Sequence, residues 1–561
     1  MTAVARRRVH VLTGLALAVL TTIAVLVNQR DVGIARDEVT YIESGAHYAA
    51  WWRGLVTLDH GISTKTITAT WGGPAATDNN REHPPLMKEM FGMSQWLLHD
   101  VLGVCSELTA ARAPAAATHG LAVGLVYAFA LELFGFGEAI LAGLLLLLVP
   151  RALFHAGLAC FDAPIMTWWL ATVFAYYRAL DGRRWPWLTG VMFGCALATK
   201  HTAVLLPFAL GVHYLWLGWR ARAVDPARRW TLLVTHRWRV IVSLAVLGPL
   251  VLFVLWPWLW IAPIAHVAQW MSFHLTHVHY NYEYLGHNWN APRFPWHVAL
   301  VTTLVTVPVV TLGAALIGLG RWLGLRGTLP RAPLLLLALS LGASIGPFVL
   351  GTTPIFGAEK HWMPSLPTLC IAGACGIVWA ARALAAAVVA WRPAWAEAAT
   401  RQTLLLALGG MVVVAAATET LTAQPYALTS YNALAGGAPG GADLGMNRQF
   451  WGVAVRGVLP PLAAEAPPPG PQPRFIYTHD ASPAWGLYQK LGLVPKWLVD
   501  SGHEDAGVAH SDLALVVHEL HFNRHDYMIW QGYRSVKPTY VLRSDGVPIV
   551  SLYERPASTP P

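Results

Sequence analysis

Charge is scarce in this chain. Only 12% of its 561 residues are Asp, Glu, Lys or Arg, about half the share of a soluble domain. Apolar residues make up 55% and mean hydropathy is +0.45. Long apolar runs recur through the first three quarters, which excludes an ordinary soluble domain and describes a polytopic membrane protein. Cysteine is scarce too. Cys105, Cys160, Cys195, Cys370 and Cys375 lack metal-ligand spacing, and most sit in or beside apolar segments, so they read as small buried hydrophobes. Acidic residues are fewer than basic ones, giving a net charge of +9. That excess does not form a nucleic-acid face, because the arginines cluster in short segments between apolar runs, the positive-inside pattern. A nucleotide fingerprint is also missing, since Gly436-Gly437 and Gly440-Gly441 lack a strand–helix setting.

What is present begins with Arg6-Arg7-Arg8 and an apolar stretch near residues 11–27, with no small-x-small cleavage site after it. This predicts an uncleaved first span that exits to the outer side. Further spans are predicted at 113–134, 139–153, 162–179, two within 187–219 divided at Lys200-His201, 240–258, 298–318, 333–352, 364–391 and 402–421. That makes about eleven spans. Between them Arg178, Arg183, Arg184, Arg220, Arg222, Arg228, Arg229, Arg237, Arg239, Arg321, Arg326, Arg331, Arg392 and Arg401 mark the inner side. The expected organisation is a first span (1–27), an outer loop (28–112), a helical bundle (113–421) and an outer α/β domain (422–561).

The outer loop is long for a connection and is expected to carry structure of its own. Glu38 to Leu55 and Pro84 to Leu98 predict two interfacial amphipathic helices, the second started by Pro84-Pro85. Past the last span, a Pro-rich linker (Pro467 to Pro471) leads to a strand at Phe475-Ile476-Tyr477 and a helix over Pro483 to Leu491. A strand over Leu513 to Val517 and a hairpin over Thr539 to Tyr553, turning at Asp545-Gly546, complete a small α/β domain.

Sorting polar residues by side gives one pattern. The outer side collects Asp37, Glu38, Glu82, His83, Lys88, Arg112, Asp162, Glu359, Lys360 and His361, together with the His-, Tyr-, Asn- and Trp-rich loop 261–297. Ionisable groups near lipid are costly and usually functional. A carboxylate there can act as a general base toward a hydroxyl or amine acceptor. Nearby cations can stabilise a departing phosphate. Together they suit sugar transfer from a lipid-linked sugar phosphate.

Several motifs resemble a known family. Asp37-Glu38 after the first span is similar to the acidic pair of C-type glycosyltransferases (GT-C), in particular the dolichyl-phosphate-mannose protein O-mannosyltransferases. Glu82-His83-Pro84-Pro85-Leu86 resembles a loop element of these and of the lipid A aminoarabinose transferases. Phe161-Asp162-Ala163-Pro164 resembles the second acidic site, and Ala198-Thr199-Lys200-His201-Thr202 the "TK-aromatic-T" segment with His in the aromatic place. The resemblance covers roughly residues 10–380. It implies a polyprenyl-phosphate sugar donor and an acceptor that is a protein, lipid or glycan. Asp37 would be the catalytic base, with Glu38 beside it, while Glu82 and Asp162 would hold acceptor, sugar or a divalent metal. Lys88 and Arg112 would meet the phosphate, joined by Lys200, Lys360 or His361, and His83 and His201 would also contact substrate. Where the aminoarabinose enzymes carry Lys after the loop glutamate, this chain has His83.

Each group also has a plain structural reading. Asp37 and Glu38 could simply cap a helix, Lys88 and Arg112 could snorkel, and Lys200-His201 could be a polar hinge. His274, His277 and His279 do not share one helical face and read as a solvated loop, whereas Tyr280 to Trp296 could line an acceptor groove. The expected function is an inverting glycosyltransferase for mannose or a similar sugar. It would work at the outer face of a membrane, read here as a bacterial inner membrane facing the periplasm. The alternatives are a transporter, which would place its charges mid-bilayer in repeated halves, and a non-catalytic envelope assembly protein.

Overall fold

The computed structural model describes residues 2–72, 80–180, 185–224, 237–277, 279, 281–324, 331–355, 357–393, 398–465, 472–519 and 523–556. The predicted linker Pro467 to Pro471, Tyr280, and the topogenic Arg183, Arg184, Arg228, Arg229 and Arg326 lie outside the described residues.

Helices stand at every position where a span was predicted. By length and apolar composition, seven of them among the described residues can cross a membrane, or up to eight when one bent pair counts as a span. The difference from about eleven lies in breaks and shortness. Helices α1 (Ala3–Asn28), α5 (Glu107–Leu133) and α10 (Leu206–Val224) belong to long runs. The predicted 139–153 span is instead a pair, α6 (Phe136–Leu147) and α7 (Pro150–Ala156), bent by 67° ahead of Pro150, where proline removes a backbone donor. Helix α8 (Asp162–Ala179) opens on a carboxylate and α9 (Trp185–Leu197) is short. The 298–318 span divides into Val298–Thr306 and Val309–Gly324 around Pro308. Val11, Leu15, Val19 and Ile23 of α1 point outward, which hydrocarbon solvates and water would not. The chain is an integral membrane protein.

The outer loop folds into α2 (Arg36–Val56), α3 (Thr64–Trp71) and α4 (Leu86–Ser94), the last continuing as a wider turn to Val101. Helices α2 and α4 cross through two glycines. A Cβ at Gly92 would stand 1.9 Å from the Gly45 carbonyl oxygen, and one at Gly45 would stand 2.3 Å from that of Lys88. Only hydrogen at both positions allows the backbones to come so close.

The C-terminal segment holds a five-stranded mixed sheet in the order β4-β3-β5-β7-β6. Its strands are β3 (Arg474–Tyr477), β4 (Leu498–Asp500), β5 (Leu513–Val517), β6 (Tyr540–Ser544) and β7 (Val547–Glu554), while β1 (Tyr282–Tyr284) and β2 (His287–Trp289) form a separate hairpin in the 261–297 loop. Strand β3 runs parallel to β4 and β5; β5–β7 and β6–β7 are antiparallel. The β6–β7 turn falls at Asp545-Gly546, both with positive φ, as a two-residue hairpin loop requires. This sheet does not stand apart from the membrane helices. Ile34 and Val39 are buried in its core with Trp485, Tyr488 and Val455, and the Ile34 N–H donates to the Tyr488 hydroxyl at 2.7 Å. Burying each such side chain contributes about 1.5–3 kcal/mol, so the start of α2 is held from above by the chain's last quarter.

Candidate active site

The two adjacent carboxylates at the start of α2 go to different places. Both lie in its first turn, where the helix dipole favours negative charge. Glu38 turns inward and is fully buried. Its two oxygens accept from Arg112 Nε and Nη2, each at 2.7 Å. They also accept the Ala159 N–H at 2.7 Å and, as a helix cap, the Ala35 N–H at 3.2 Å. Arg112 spends its remaining donors on the carbonyls of Gln29, Val32 and Gly33. Neither residue lines the cavity described next, so Arg112 is not placed to meet a phosphate and Glu38 is not placed to meet an acceptor. Together they knit the end of α1, the start of α2, α5 and the turn before α8.

Lys88, the third predicted residue that does not line the cavity, is also buried rather than snorkelling. Its ammonium donates to the Asn80 carbonyl at 2.8 Å and to the Tyr48 hydroxyl at 3.3 Å, and sits 4.9 Å from the centre of the Tyr48 ring.

Asp37 turns the other way, into a cavity of about 410 Å³. Glu82, His83, Asp162, Lys200, His201, Lys360 and His361 share its lining with Asp37, although they come from segments spread across more than half the chain. Asp37 Oδ2 accepts the Trp451 indole N–H at 3.0 Å, and Oδ1 lies 3.4 Å from Arg36 Nε. Asp162, at the first position of α8, pairs with Lys200 at 2.6 Å. That contact joins the two motifs the sequence placed at neighbouring span ends. Lys360 lies on a short turn, Ala358–His361, with its ammonium 4.0 Å from the centre of the Trp451 ring. Burial lowers the Lys360 pKa, opposed by the nearby Asp37 and Asp162 carboxylates.

Histidines form a second part of the wall. His201 and His274 stack at 3.7 Å, and His83 lies 5.7 Å from His274. His274 Nε2 donates to the Glu82 carbonyl at 3.1 Å. Burial first, with His277 and Lys200 adding to it, lowers His274 to about 4. Burial and then His274 and Lys88 hold His83 well below its ordinary value. These imidazoles are therefore neutral near pH 7.

Sequence reasoning missed several members of the site. It read His274 and His277 as solvated loop, yet both line the cavity. Arg36 was passed over. Its guanidinium pairs with Asp480 at 2.9 Å; burial works against the charge, and Asp480 and Asp37 more than offset that, raising its pKa. Asp480, Glu519, Trp451 and Asn447 all reach the cavity from the C-terminal quarter, and Asn281 and Glu283 from the predicted groove segment. Burial, followed by repulsion from Asp480 and Glu283, pushes the Glu519 carboxyl well above the usual range. Among the described residues no group of three His, Cys, Asp or Glu side chains is arranged to hold a metal ion. The Asp37, Glu82 and Asp162 carboxylates are therefore not grouped as a three-ligand metal site.

Comparison with known proteins adds the following. Residues 82–260 match the profile of the family described as dolichyl-phosphate-mannose-protein mannosyltransferase. No curated protein matches the chain. Among solved structures, ArnT from Cupriavidus metallidurans bound to undecaprenyl phosphate is similar at 16% identity over 100% of both chains, with a TM-score of 0.48. The oligosaccharyltransferase AglB from Archaeoglobus fulgidus is similar at 12% identity over 93% of this chain and 71% of its own, with a TM-score of 0.47. The S. cerevisiae protein O-mannosyltransferase complex Pmt1-Pmt2 is similar at 16% identity over 46% of this chain and 34% of its own, with a TM-score of 0.35. The matched segment 82–260 carries Glu82, His83, Asp162, Lys200 and His201 of the cavity wall. By its motifs and by that match, the chain resembles the GT-C glycosyltransferases of the protein mannosyltransferase kind.

Proposed function

We propose that this protein is a glycosyltransferase that moves a sugar, mannose or a similar one, from a polyprenyl-phosphate donor to an acceptor at the outer membrane–water boundary. The observation that carries this reading is the convergence of Asp37, Glu82, Asp162, Lys200 and Lys360 on one cavity. Its volume suits a sugar-phosphate head group, and the lipid tail would remain among the membrane helices. The name of the family matched over residues 82–260 supports the choice of sugar.

In this account Asp37 takes the proton from the acceptor hydroxyl or amine as its heteroatom attacks the anomeric carbon. The bond from that carbon to the phosphate oxygen breaks, and polyprenyl phosphate departs with the electron pair. Lys360 and Lys200 stabilise the phosphate charge as it develops. One direct displacement inverts the anomeric carbon. Glu82 and Asp162 orient donor and acceptor, while Glu38 and Arg112 hold the first turn of α2 in place. The outer face is read as periplasmic.

The test is turnover of radiolabelled polyprenyl-phosphate mannose, beside other lipid-linked sugars, with crude envelope acceptors. Release of polyprenyl phosphate with transfer of label, and an anomeric configuration opposite to the donor's, is the expected result. Absence of transfer from every lipid-linked sugar supplied overturns the reading.

A further inference from the structure

Trp451 reaches Asp37 from more than four hundred residues away in sequence. Its indole N–H donates to Asp37 Oδ2 at 3.0 Å, its carbonyl accepts the Arg36 N–H at 3.1 Å, and its ring lies beneath the Lys360 ammonium at 4.0 Å. The residue is buried and has φ +72°, with Gly452 after it at φ +68°. A bulky side chain seldom adopts that backbone conformation, and such strain persists where the surroundings over-determine it. Here the indole meets the proposed base on its edge and a proposed phosphate-binding cation on its face.

We propose that Trp451 is a positioning residue for the transfer step, fixing the rotamer of Asp37 so that its free edge faces the cavity. The inference rests on the proposed transferase function. The indole N–H holds Oδ2 at 3.0 Å, while Oδ1, with only a longer 3.4 Å contact to Arg36 Nε, is the less tightly held oxygen to receive the acceptor proton. A cation over the ring draws on the same π-system, so Lys360 polarises the N–H toward Asp37.

Trp451→Phe removes the N–H and keeps an aromatic face for Lys360; Trp451→Leu removes both. For Trp451→Phe kcat is expected to fall about tenfold, the scale of one hydrogen bond to a charged group, while the donor KM stays within about twofold. Trp451→Leu should in addition raise the donor KM. Melting curves on both variants confirm that they are folded. A merely structural role would lower melting temperature and raise the donor KM along with any loss of kcat, so a folded Trp451→Phe protein with wild-type kcat, or one whose loss falls on KM, overturns the proposal. Wild-type protein that turns over no lipid-linked sugar rejects the function and this inference with it. Active wild type beside a Trp451→Phe protein of unchanged kcat rejects the inference alone.

Discussion

Asp37 and Glu38 are neighbours in sequence, on the same helical turn, and their surroundings could hardly differ more. Glu38 sits in a dry hub in which both oxygens accept from Arg112 and the remaining lone pairs go to backbone N–H groups. Asp37 keeps one oxygen toward a cavity shared with lysines, histidines and two further carboxylates. A carboxylate whose lone pairs are all occupied holds structure; one with a lone pair facing an open volume can exchange a proton. The plain capping reading of this acidic pair therefore describes Glu38, and the catalytic reading is kept for Asp37.

Substitutions sharpen this contrast, beginning with the largest effect. Asp37→Asn should lower transfer by about a thousandfold, within the usual range for a general base, with the melting temperature unchanged. Glu38→Gln leaves the buried Arg112 charge uncompensated, and the expected loss is about 3–5 kcal/mol of stability, read from thermal or denaturant unfolding in detergent. Adding Arg112→Met should restore only part of it, because the carbonyls of Gln29, Val32 and Gly33 would then lose their donor. Gly92→Ala drives a methyl into the Gly45 carbonyl and should cost about 1–3 kcal/mol, shifting α2 against α4. Lys360→Met should lower kcat about tenfold and raise the donor KM as well, the loss of one charge-assisted contact to the departing phosphate, with little change in melting.

The smallest effect is on pH dependence. His274 is lowered to about 4 and His83 lies well below its ordinary value, whereas an unfolded chain protonates histidine near about 6.5. Between those values the unfolded state holds more protons, so stability is full above about pH 6.5 and falls as pH drops toward 4. Melts at about pH 7 and about pH 5 should show the decline, and His274→Gln should flatten it. An unchanged slope in that variant would assign the decline to other groups.

Much of this arrangement was legible before any coordinates. The helical segments, the strand Leu513–Val517 and the hairpin at Asp545-Gly546 were readable because apolar periodicity and turn chemistry are local. The Asp162–Lys200 contact was foreshadowed by two motifs at neighbouring span ends. Arg112 was misjudged, because nothing near it in sequence announces Glu38 and the three carbonyls as its partners. Trp451, Asp480 and Glu519 were unreadable for the same reason on a larger scale. Their position depends on Ile34 and Val39 entering the core of the C-terminal sheet, a long-range packing event with no local signature. His274 carries no local signal of its role, because its partners are another ring, His201, and the Glu82 carbonyl, and His277 enters the wall beside Phe273.

The most direct test places Asp37→Asn and Glu38→Gln side by side, measuring both transfer from a polyprenyl-phosphate sugar and melting temperature for each. The account predicts opposite phenotypes: Asp37→Asn melts like wild type and transfers sugar about a thousandfold more slowly, while Glu38→Gln melts early and recovers transfer in whatever fraction stays folded. An Asp37→Asn protein that transfers sugar at the wild-type rate, or a Glu38→Gln protein that is fully stable yet inactive, would contradict it.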